Sequence, residues 1–401
     1  MVAPGNPATL RVAANASQAV VLTAYDKGLD GGDGGKYCES RRNHEPPTAG
    51  ADVNEWAIWA SRKQHCSTVH AVRILVVGGA GMLGRKLVER LARDGTLGSE
   101  PIRHVSLVDA VEPKRPALAR FEVETVVADL AEPGVAGDLV SNRPDVVYHL
   151  AAVVSGEAEA DFEKGYRVNL DGTRLLLEAV RMLDQAYTPR VVFASSIAVF
   201  GAPFPEVIGD DYCTAPLTSY GTQKAIGELL LSDYTRRRFL DGVGIRLPTV
   251  CVRPGTPNRA ASGFFSGIIR EPLNGEEAVL PVPEHIRHWH ASPRAAVGFL
   301  LHAGTIDGDA LGDRRCLTMP GVSVTVAEQI AALRNVAGAD VVRLIRAEPD
   351  EAVLRIVAGW PHNFDARRAY ALGFRADASF EEIIRVHIED ELGGRVPAVG
   401  S

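Results

Sequence analysis

A tyrosine and a lysine four residues apart, Tyr220 and Lys224 in PLTSYGTQK, have the types and spacing that best suit chemistry in this chain. Residues four apart share one face of a helix. Two serines, Ser195 and Ser196 in FASSIAVFG, precede them and end an apolar run typical of a buried strand. These side chains together suit oxidation of a secondary alcohol, which requires a base for the hydroxyl proton.

Tyrosine serves as a base only if its pKa falls from its ordinary value of about 10. The ammonium of Lys224 and the positive ring of a nicotinamide cofactor would both favour the phenolate. We therefore predict that Tyr220 is the general base and that Ser196 orients the substrate oxygen. Ser195 is predicted to have only a packing role at the strand end.

A glycine-rich segment, VVGGAGMLG, predicts the cofactor site. Gly78, Gly81 and Gly84 follow an apolar run from Val72 and precede a helix predicted from Met82. Glycine lets the backbone turn tightly and approach a pyrophosphate, to which the helix N-terminus presents free N–H groups. A tight turn in an unrelated α/β protein is the alternative, which the strand-turn-helix context disfavours.

Two acidic residues follow later apolar runs. Asp109 ends HVSLVD at close to the spacing of about 20 residues expected of an acid that binds the adenosine ribose. Because a carboxylate there repels a 2′-phosphate, we predict NAD rather than NADP. Asp129 ends VETVVAD and is predicted either to bind the adenine amino group or to shape a turn.

Short β-branched runs alternate with amphipathic stretches from Val72 onward, which predicts the α/β class with a doubly wound parallel sheet. We predict an NAD-binding Rossmann domain over 72–248 and a smaller mixed α/β substrate-binding lobe over 249–395, with some chain exchange between them. We also predict a tail over residues 396–401. Prolines after Pro248 predict an irregular stretch, followed by helices near 326–335 and 380–392.

The N-terminal segment differs in composition from the rest. Residues 1–71 are rich in Gly, Asp, Asn and Pro and lack periodicity, so we predict a disordered or loosely attached extension. Translation from a misplaced start codon is an alternative origin for it. A native extension and translation from a misplaced start codon both stay open at this point.

Charge and cysteine usage exclude other classes. A net charge of -7 and the lack of an apolar run of about 18 residues predict no nucleic-acid partner and no membrane span. The five cysteines lack a Cys-x-x-Cys pair and zinc-site spacing, which predicts no metal and a reduced, cytoplasmic setting.

From residue 72 to about 395 the chain resembles the extended short-chain dehydrogenases/reductases, a family of sugar epimerases and dehydrogenases. The motifs above carry the resemblance, with HLAA over 149–152 and VNLDGT around Asn169. Val77 and Phe200 depart from the frequent Thr and Tyr of the family, away from the proton-transfer residues. The resemblance implies catalysis by Ser196, Tyr220 and Lys224, and a homodimer. The NAD-binding positions it implies are Gly78, Gly81, Met82, Leu83, Asp109, Asp129, Leu130, Ala151, Ala152, Asn169, Tyr220, Lys224 and Pro248.

Segments such as RLPTVCVRPG and HWHASPRAAVGFLLHA narrow the resemblance to members that oxidise a four-carbon sugar acid. A small carboxylate substrate needs a cationic or amide clamp. Arg270 and His288 are further candidates for that clamp. The substrate positions that we predict are Ser155, Ser196, Thr249, Arg253 and Arg259.

Two other function classes stay open. A nucleotide-sugar epimerase would share the cofactor-binding half of the chain. A non-catalytic NAD sensor would keep the glycines but need not keep Ser, Tyr and Lys together. A dehydratase is disfavoured because Ile197 and Ala198 follow Ser196 where a Thr-Asp/Glu pair is expected.

Overall fold

The computed structural model describes residues 9–11, 21–23, 71–184, 186–255 and 262–396. The chain divides into two compact units, Met1–Ser67 and Thr68–Ser401. In the first unit, β1 (Thr9–Arg11) and β2 (Val21–Thr23) pair antiparallel, within a segment predicted to lack regular structure. The other residues up to 70 lie outside the described ranges, so their disorder stays a prediction.

The second unit contains strands and helices in alternation. Its strands are β3 (Val72–Val77), β4 (Thr96–Leu97), β5 (Glu100–Asp109), β6 (Glu122–Val127), β7 (Val146–His149), β8 (Arg190–Ser196), β9 (Asp241–Leu247), β10 (Thr249–Val250), β11 (Ala278–Leu280), β12 (Arg287–Ala291), β13 (Cys316–Thr318), β14 (Val322–Thr325) and β15 (Ile345–Ala347). Its α-helices are α1 (Met82–Asp94), α2 (Val135–Val140), α3 (Ser155–Ala160), α4 (Phe162–Gly165), α5 (Gly172–Met182), α6 (Ser219–Arg236), α7 (Gly263–Leu273), α8 (Pro293–Thr305), α9 (Val326–Ala337), α10 (Ala339–Val342), α11 (Glu351–Ala358), α12 (Arg367–Ala371) and α13 (Phe380–Glu391). A π-helical stretch at Tyr166–Asp171 joins α4 to α5, and 3-10 turns lie at Ile197–Val199 and Asp309–Leu311.

The largest sheet in the described part of the chain has eight strands in the order β13-β9-β8-β7-β3-β5-β4, with β6 also paired to β5. Its pairings are parallel except that of the short β4 with β5. The strand order reverses between β3 and β7, the switch point at which open α/β sheets bind ligands. The doubly wound parallel sheet predicted from the sequence is confirmed.

Alternate residues of the central strand β3 pack against opposite helix layers, as expected for a parallel sheet buried on both faces. Ile74 and Val76 pack with apolar residues of α1 and α8. Leu75 and Val77 pack with apolar residues of α5 and α6. The near-continuous apolar run is therefore explained by two cores, one on each face of the sheet.

The irregular stretch predicted after Pro248 is wrong in part, because the helices α7 and α8 lie there. Pro272 lies in the last turn of α7, where proline interrupts little of the helix. Ser292 caps α8 through the N–H of Ala295, and Pro293 occupies the first turn, a recognised start signal.

The later helices follow the predicted periodicity. α9 and α13 occupy the ranges predicted near 326–335 and 380–392, and a Thr325–Glu328 capping box starts α9. β13 pairs with β9 and α8 packs on the large sheet, so part of the chain after residue 248 returns to the first half. The domain boundary at residue 248 stays a prediction.

No helix among the described residues is long and apolar enough to cross a membrane. In the same residues, no group of three or more His, Cys, Asp or Glu side chains could hold a metal ion.

Candidate active site

A cavity of about 500 Å³ opens at the carboxyl ends of β3, β7, β8 and β9. Its wall combines the glycine-rich segment, the end of β8, the first turns of α6 and residues of the C-terminal half. This is the edge at which open α/β sheets bind ligands.

Tyr220 and Lys224 lie in the first turns of α6 and line the cavity together with Ser196. Thr218 starts this helix by accepting the N–H of Gly221 at 3.1 Å. A Cβ at Gly221 would collide with a carbonyl oxygen of the 3-10 turn after β8. Glycine at this position therefore lets the helix approach the strand that carries the serine.

Lys224 is buried at the end of β8. Its ammonium donates to the carbonyl oxygen of Ala194 at 2.8 Å and lies 4.8 Å from the ring centroid of Phe193. Burial lowers the pKa of Lys224 to about 8, while the Glu228 carboxylate acts in the opposite direction. Lys224 therefore lies near Tyr220, with Nζ 5.8 Å from the ring centroid, and its ammonium loses its proton more easily than that of an exposed lysine.

Burial raises the pKa of the Tyr220 phenol in the protein alone. Hydrogen bonding with Ser196 and the positive charge of Arg253 act in the opposite direction. The pKa of Tyr220 is therefore not lowered in the protein alone, and its lowering by Lys224 together with the cofactor stays a prediction. The cation that acts on the phenol is Arg253, which the sequence analysis had assigned only to the substrate.

The two serines have different surroundings. Ser195 is buried and donates to Glu228 Oε1 at 2.5 Å. Ser196 is partly exposed, accepts the N–H of Ala198 at 3.1 Å and contacts Tyr220. The geometry therefore places Ser196, rather than Ser195, beside the phenol, and the role of Ser196 toward the substrate stays a prediction.

The three glycines after β3 differ in what a side chain at each position would meet. Gly78 has a φ of 99°, and a Cβ there would lie 2.5 Å from the backbone nitrogen of Ala151. A Cβ at Gly84 would collide with the carbonyl oxygen of Gly78. Gly81 is different, because a Cβ there would meet no described protein atom closer than 3.4 Å, and the residue lines the cavity.

Gly81 also precedes α1, and among the described residues no side chain caps the N-terminus of this helix. The open space at the glycine and the uncapped N–H groups fit a pyrophosphate. The residues at this end of the sheet therefore fit a dinucleotide. Met82, Leu83, Ala152 and Pro248 line the same cavity.

The other predicted cofactor residues lie outside the cavity wall. Asp109 accepts the N–H of Ala80 at 3.0 Å and so ties the glycine segment to the end of β5. Asp129 accepts the N–H of Ala131 at 2.9 Å and pairs with Arg167 at 2.7 Å, an arrangement that fits the turn-shaping alternative.

The three remaining predicted cofactor residues also do not line the cavity and contact the residues around it. Leu130 packs in the core on one face of the sheet, and Ala151 lies against Gly78. Asn169 is buried, accepts the N–H of Val153 at 2.7 Å and donates to the carbonyl of Val153 at 3.1 Å. Asn169 therefore shapes the loop after β7 rather than facing the cavity.

Four of the five predicted substrate residues line the cavity: Ser155, Ser196, Thr249 and Arg253. Arg259 lies outside the described residues. The guanidinium of Arg253 donates to the Ser262 hydroxyl at 2.8 Å and to the carbonyl of Val250 at 3.0 Å. These two contacts fix its position in the wall.

Thr249 and His288 form a hydrogen-bonded pair in the wall, with 2.7 Å between Thr249 Oγ1 and His288 Nε2. Burial, reinforced by the charges of His362 and Arg253, lowers the pKa of His288 to about 3, so that the imidazole is neutral. Arg270 also lines the cavity and donates to the carbonyl of Arg253 at 2.8 Å.

Sequence reasoning missed Trp360 and Pro361, which line the cavity from the loop after α11. The ring centroid of Trp360 lies 5.3 Å from that of His288. An isolated tryptophan between glycine and proline in AGWPHN is a signal that could have found this loop, since a bulky aromatic ring in a loop needs a partner.

Known proteins that are similar to this chain include members of a family that uses NAD, in agreement with a cavity that fits a dinucleotide. A family model described as the NAD dependent epimerase/dehydratase family matches residues 74–292. The chain is 50% identical over 323 residues to D-erythronate dehydrogenase of Cupriavidus necator, covering 80% of this chain and 98% of that relative. It is 38% identical over 322 residues to D-erythronate dehydrogenase of Haemophilus influenzae, covering 80% and 100%.

A solved structure described as the nucleoside-diphosphate-sugar epimerase from Agrobacterium tumefaciens is also similar. It shares 62% identity, covers 81% of this chain and 96% of its own, and superposes with a TM-score of 0.80. The family model spans more than half of the chain, and the two relatives match over nearly their whole length. The chain therefore belongs to the NAD dependent epimerase/dehydratase family, and its cofactor is NAD.

Proposed function

We propose that this protein oxidises D-erythronate at carbon 2 to 2-dehydro-D-erythronate, with NAD as the acceptor. The observation that carries the proposal is the convergence of Ser196, Tyr220 and Lys224 with Arg253 on one cavity. The names of the two relatives support oxidation of a sugar acid. The intact Ser, Tyr and Lys set favours turnover over a sensor.

The phenol of Tyr220 is the proposed base for the hydroxyl proton of the substrate. Ser196 hydrogen-bonds the same oxygen and fixes its distance from the phenol. The ammonium of Lys224 favours the phenolate and is also the group proposed to bind the ribose hydroxyls of the nicotinamide half. When bound, NAD supplies the acceptor for the hydride from the substrate carbon.

Arg253 is the proposed anchor of the substrate carboxylate. Its guanidinium is held by Ser262 and Val250, and planar guanidinium groups match carboxylates in a two-bond arrangement. The same charge opposes the rise in the pKa of Tyr220 that burial causes, so Arg253 would link substrate binding to the base. Thr249, held by His288, is proposed to contact a substrate hydroxyl.

A nucleotide-sugar epimerase is a second candidate, because the 62% identical structure is described as one. The two candidates differ in their net chemistry. A dehydrogenase accumulates NADH with a four-carbon sugar acid, whereas an epimerase interconverts sugar nucleotides without net NADH. A panel of both substrate classes, followed by NADH absorbance and by chromatography of the nucleotide sugars, separates them.

The homodimer implied by the family resemblance is also part of this proposal. Sedimentation equilibrium of the full chain tests it. A single species with the mass of one chain, 42.9 kDa, would contradict it.

A further inference from the structure

Helix α6 carries a third polar side chain, Glu228, on the face that presents Tyr220 and Lys224 to the active site. Positions four and eight residues apart lie on one stripe of a helix. Lys224 donates to the carbonyl of Ala194 at 2.8 Å, and Glu228 accepts the hydroxyl of Ser195 at 2.5 Å. Successive turns of α6 are thus attached to successive residues at the end of β8.

Glu228 is buried, with 5% of its surface exposed, and forms an ion pair with Arg246 of β9. Arg246 Nη2 lies 2.8 Å from Oε2, and Nε lies 3.0 and 3.1 Å from the two carboxylate oxygens. A buried ion pair adds little stability compared with apolar residues of the same volume. Because Glu228 lies one helical turn from Lys224 and its charge acts on that lysine, the pair can have a role beyond stability.

The surroundings of Lys224 show why this carboxylate matters. Among the described residues, Glu228 is the carboxylate whose charge acts on Lys224. His149 is buried nearby and neutral, since burial, with the charge of Lys224, lowers its pKa to about 3. The titratable or charged groups that face Lys224 or the ion pair from the surrounding elements are His149, Asp210, Tyr220, Arg246 and Cys316.

We propose that Glu228 is a positioning residue for the reaction: its carboxylate, held by Arg246, keeps Lys224 in the charged form and in place at the end of β8. Without this negative charge, the buried ammonium would lose the carboxylate that acts on it, while its burial would still favour the neutral amine. Lys224 would then lose its proton at a lower pH, and the phenolate of Tyr220 would lose its supporting cation.

Glu228→Gln tests the proposal because it keeps the size and the hydrogen bond to Ser195 but removes the charge. The chain has only seven lysines, so the spectrum of free protein labelled with ¹³C at lysine Cε is simple. The Lys224 resonance is the one lost in Lys224→Arg. We expect the pKa of Lys224 to fall by at least about 1 in Glu228→Gln.

Asp233→Asn is the matched control. Asp233 lies on the same helix, is exposed and pairs with Arg236, so its loss should leave the pKa of Lys224 unchanged. If Glu228→Gln fails to fold, the double variant Glu228→Gln/Arg246→Met removes both buried charges and should still lower the pKa of Lys224. An unchanged pKa of Lys224 in the folded variant would overturn the proposal.

A second readout is the pH dependence of kcat/KM. The alkaline limb should move to lower pH in Glu228→Gln and stay in place in Asp233→Asn, whereas a purely structural role would lower kcat/KM without moving the limb. The inference rests on the proposed role of Lys224, but the titration of free protein needs no substrate. A lowered pKa of Lys224 in a protein that oxidises no sugar acid would therefore support this inference and contradict the proposed function.

Discussion

Arg253→Met tests the proposed carboxylate anchor. The substitution keeps an unbranched apolar stem and removes the guanidinium that Ser262 and Val250 hold in the cavity wall. A charge-assisted hydrogen bond contributes about 1.5–3 kcal/mol. Two such bonds to a carboxylate in a partly exposed wall would contribute about 3 kcal/mol in total, so we expect kcat/KM for D-erythronate to fall by about 10²-fold.

The assay compares D-erythronate with erythritol, which lacks the carboxylate. At a pH above the acid limb of both proteins, the variant should lose activity toward the acid while its activity toward the polyol changes little. Arg287→Met is the control, because Arg287 is an arginine of β12 that pairs with Glu328 and does not line the cavity. Unfolding temperature and NAD affinity check that the wall is intact.

The same variant has a second expected effect. Because the charge of Arg253 opposes the rise in the pKa of Tyr220 that burial causes, removing it should raise that pKa further. A base acts in its deprotonated form, so the acid limb of the kcat profile should move to higher pH. Unchanged kcat/KM for the acid, or an equal loss with both substrates, would show that Arg253 does not anchor the carboxylate.

Three further predictions concern the cofactor, stability and the N-terminal segment. The carboxylate of Asp109 should favour NAD over NADP by at least about tenfold in kcat/KM, and Asp109→Asn should reduce that ratio. Equal kcat/KM with NAD and NADP in the wild type would contradict the role given to Asp109. The buried, neutral His149 and His288 have pKa values lowered to about 3, below about 6.5 in the unfolded chain. The unfolded chain therefore binds more protons than the folded one, and the free energy of unfolding should fall as the pH drops below about 6.5. The expected slope is up to about 2.7 kcal/mol per pH unit for the two groups. Urea unfolding at pH 7 and pH 5 measures this free energy, and equal values at the two pH values would contradict the prediction. Deleting residues 1–70 should leave kcat/KM and the unfolding temperature nearly unchanged, and an insoluble or inactive product would show that these residues stabilise the catalytic unit.

The positions of the glycine segment and of the Tyr220–Lys224 pair in the fold could be predicted because their spacing is local. Gly78 and Gly81 lie in the segment before α1, and Gly84 lies in the first turn of that helix. Tyr220 and Lys224 occupy adjacent turns of α6, so residue type and periodicity suffice to place both sets. The apolar runs also predict a parallel sheet, since strands buried on both faces lack polar alternation.

Contacts between distant segments could not be predicted in the same way. The Glu228–Arg246 pair joins a helix to a strand, and Trp360 reaches the cavity from a loop more than a hundred residues after Tyr220. α7 was not predicted because a proline such as Pro272 usually breaks a helix. Pro272 lies in the last turn of α7, where it disrupts few of the helical hydrogen bonds. The pKa of Tyr220 depends on burial, which residue spacing alone does not give.

The most direct test of the proposed function is NADH formation by the purified full chain with NAD and D-erythronate, compared between the wild type and Tyr220→Phe. We predict that the wild type accumulates NADH. Tyr220→Phe should bind NAD with unchanged affinity and form NADH at least about 10²-fold more slowly. Near-normal turnover by Tyr220→Phe would contradict the role of the phenol. No NADH from any four-carbon sugar acid, together with interconversion of a nucleotide sugar, would contradict the dehydrogenase itself.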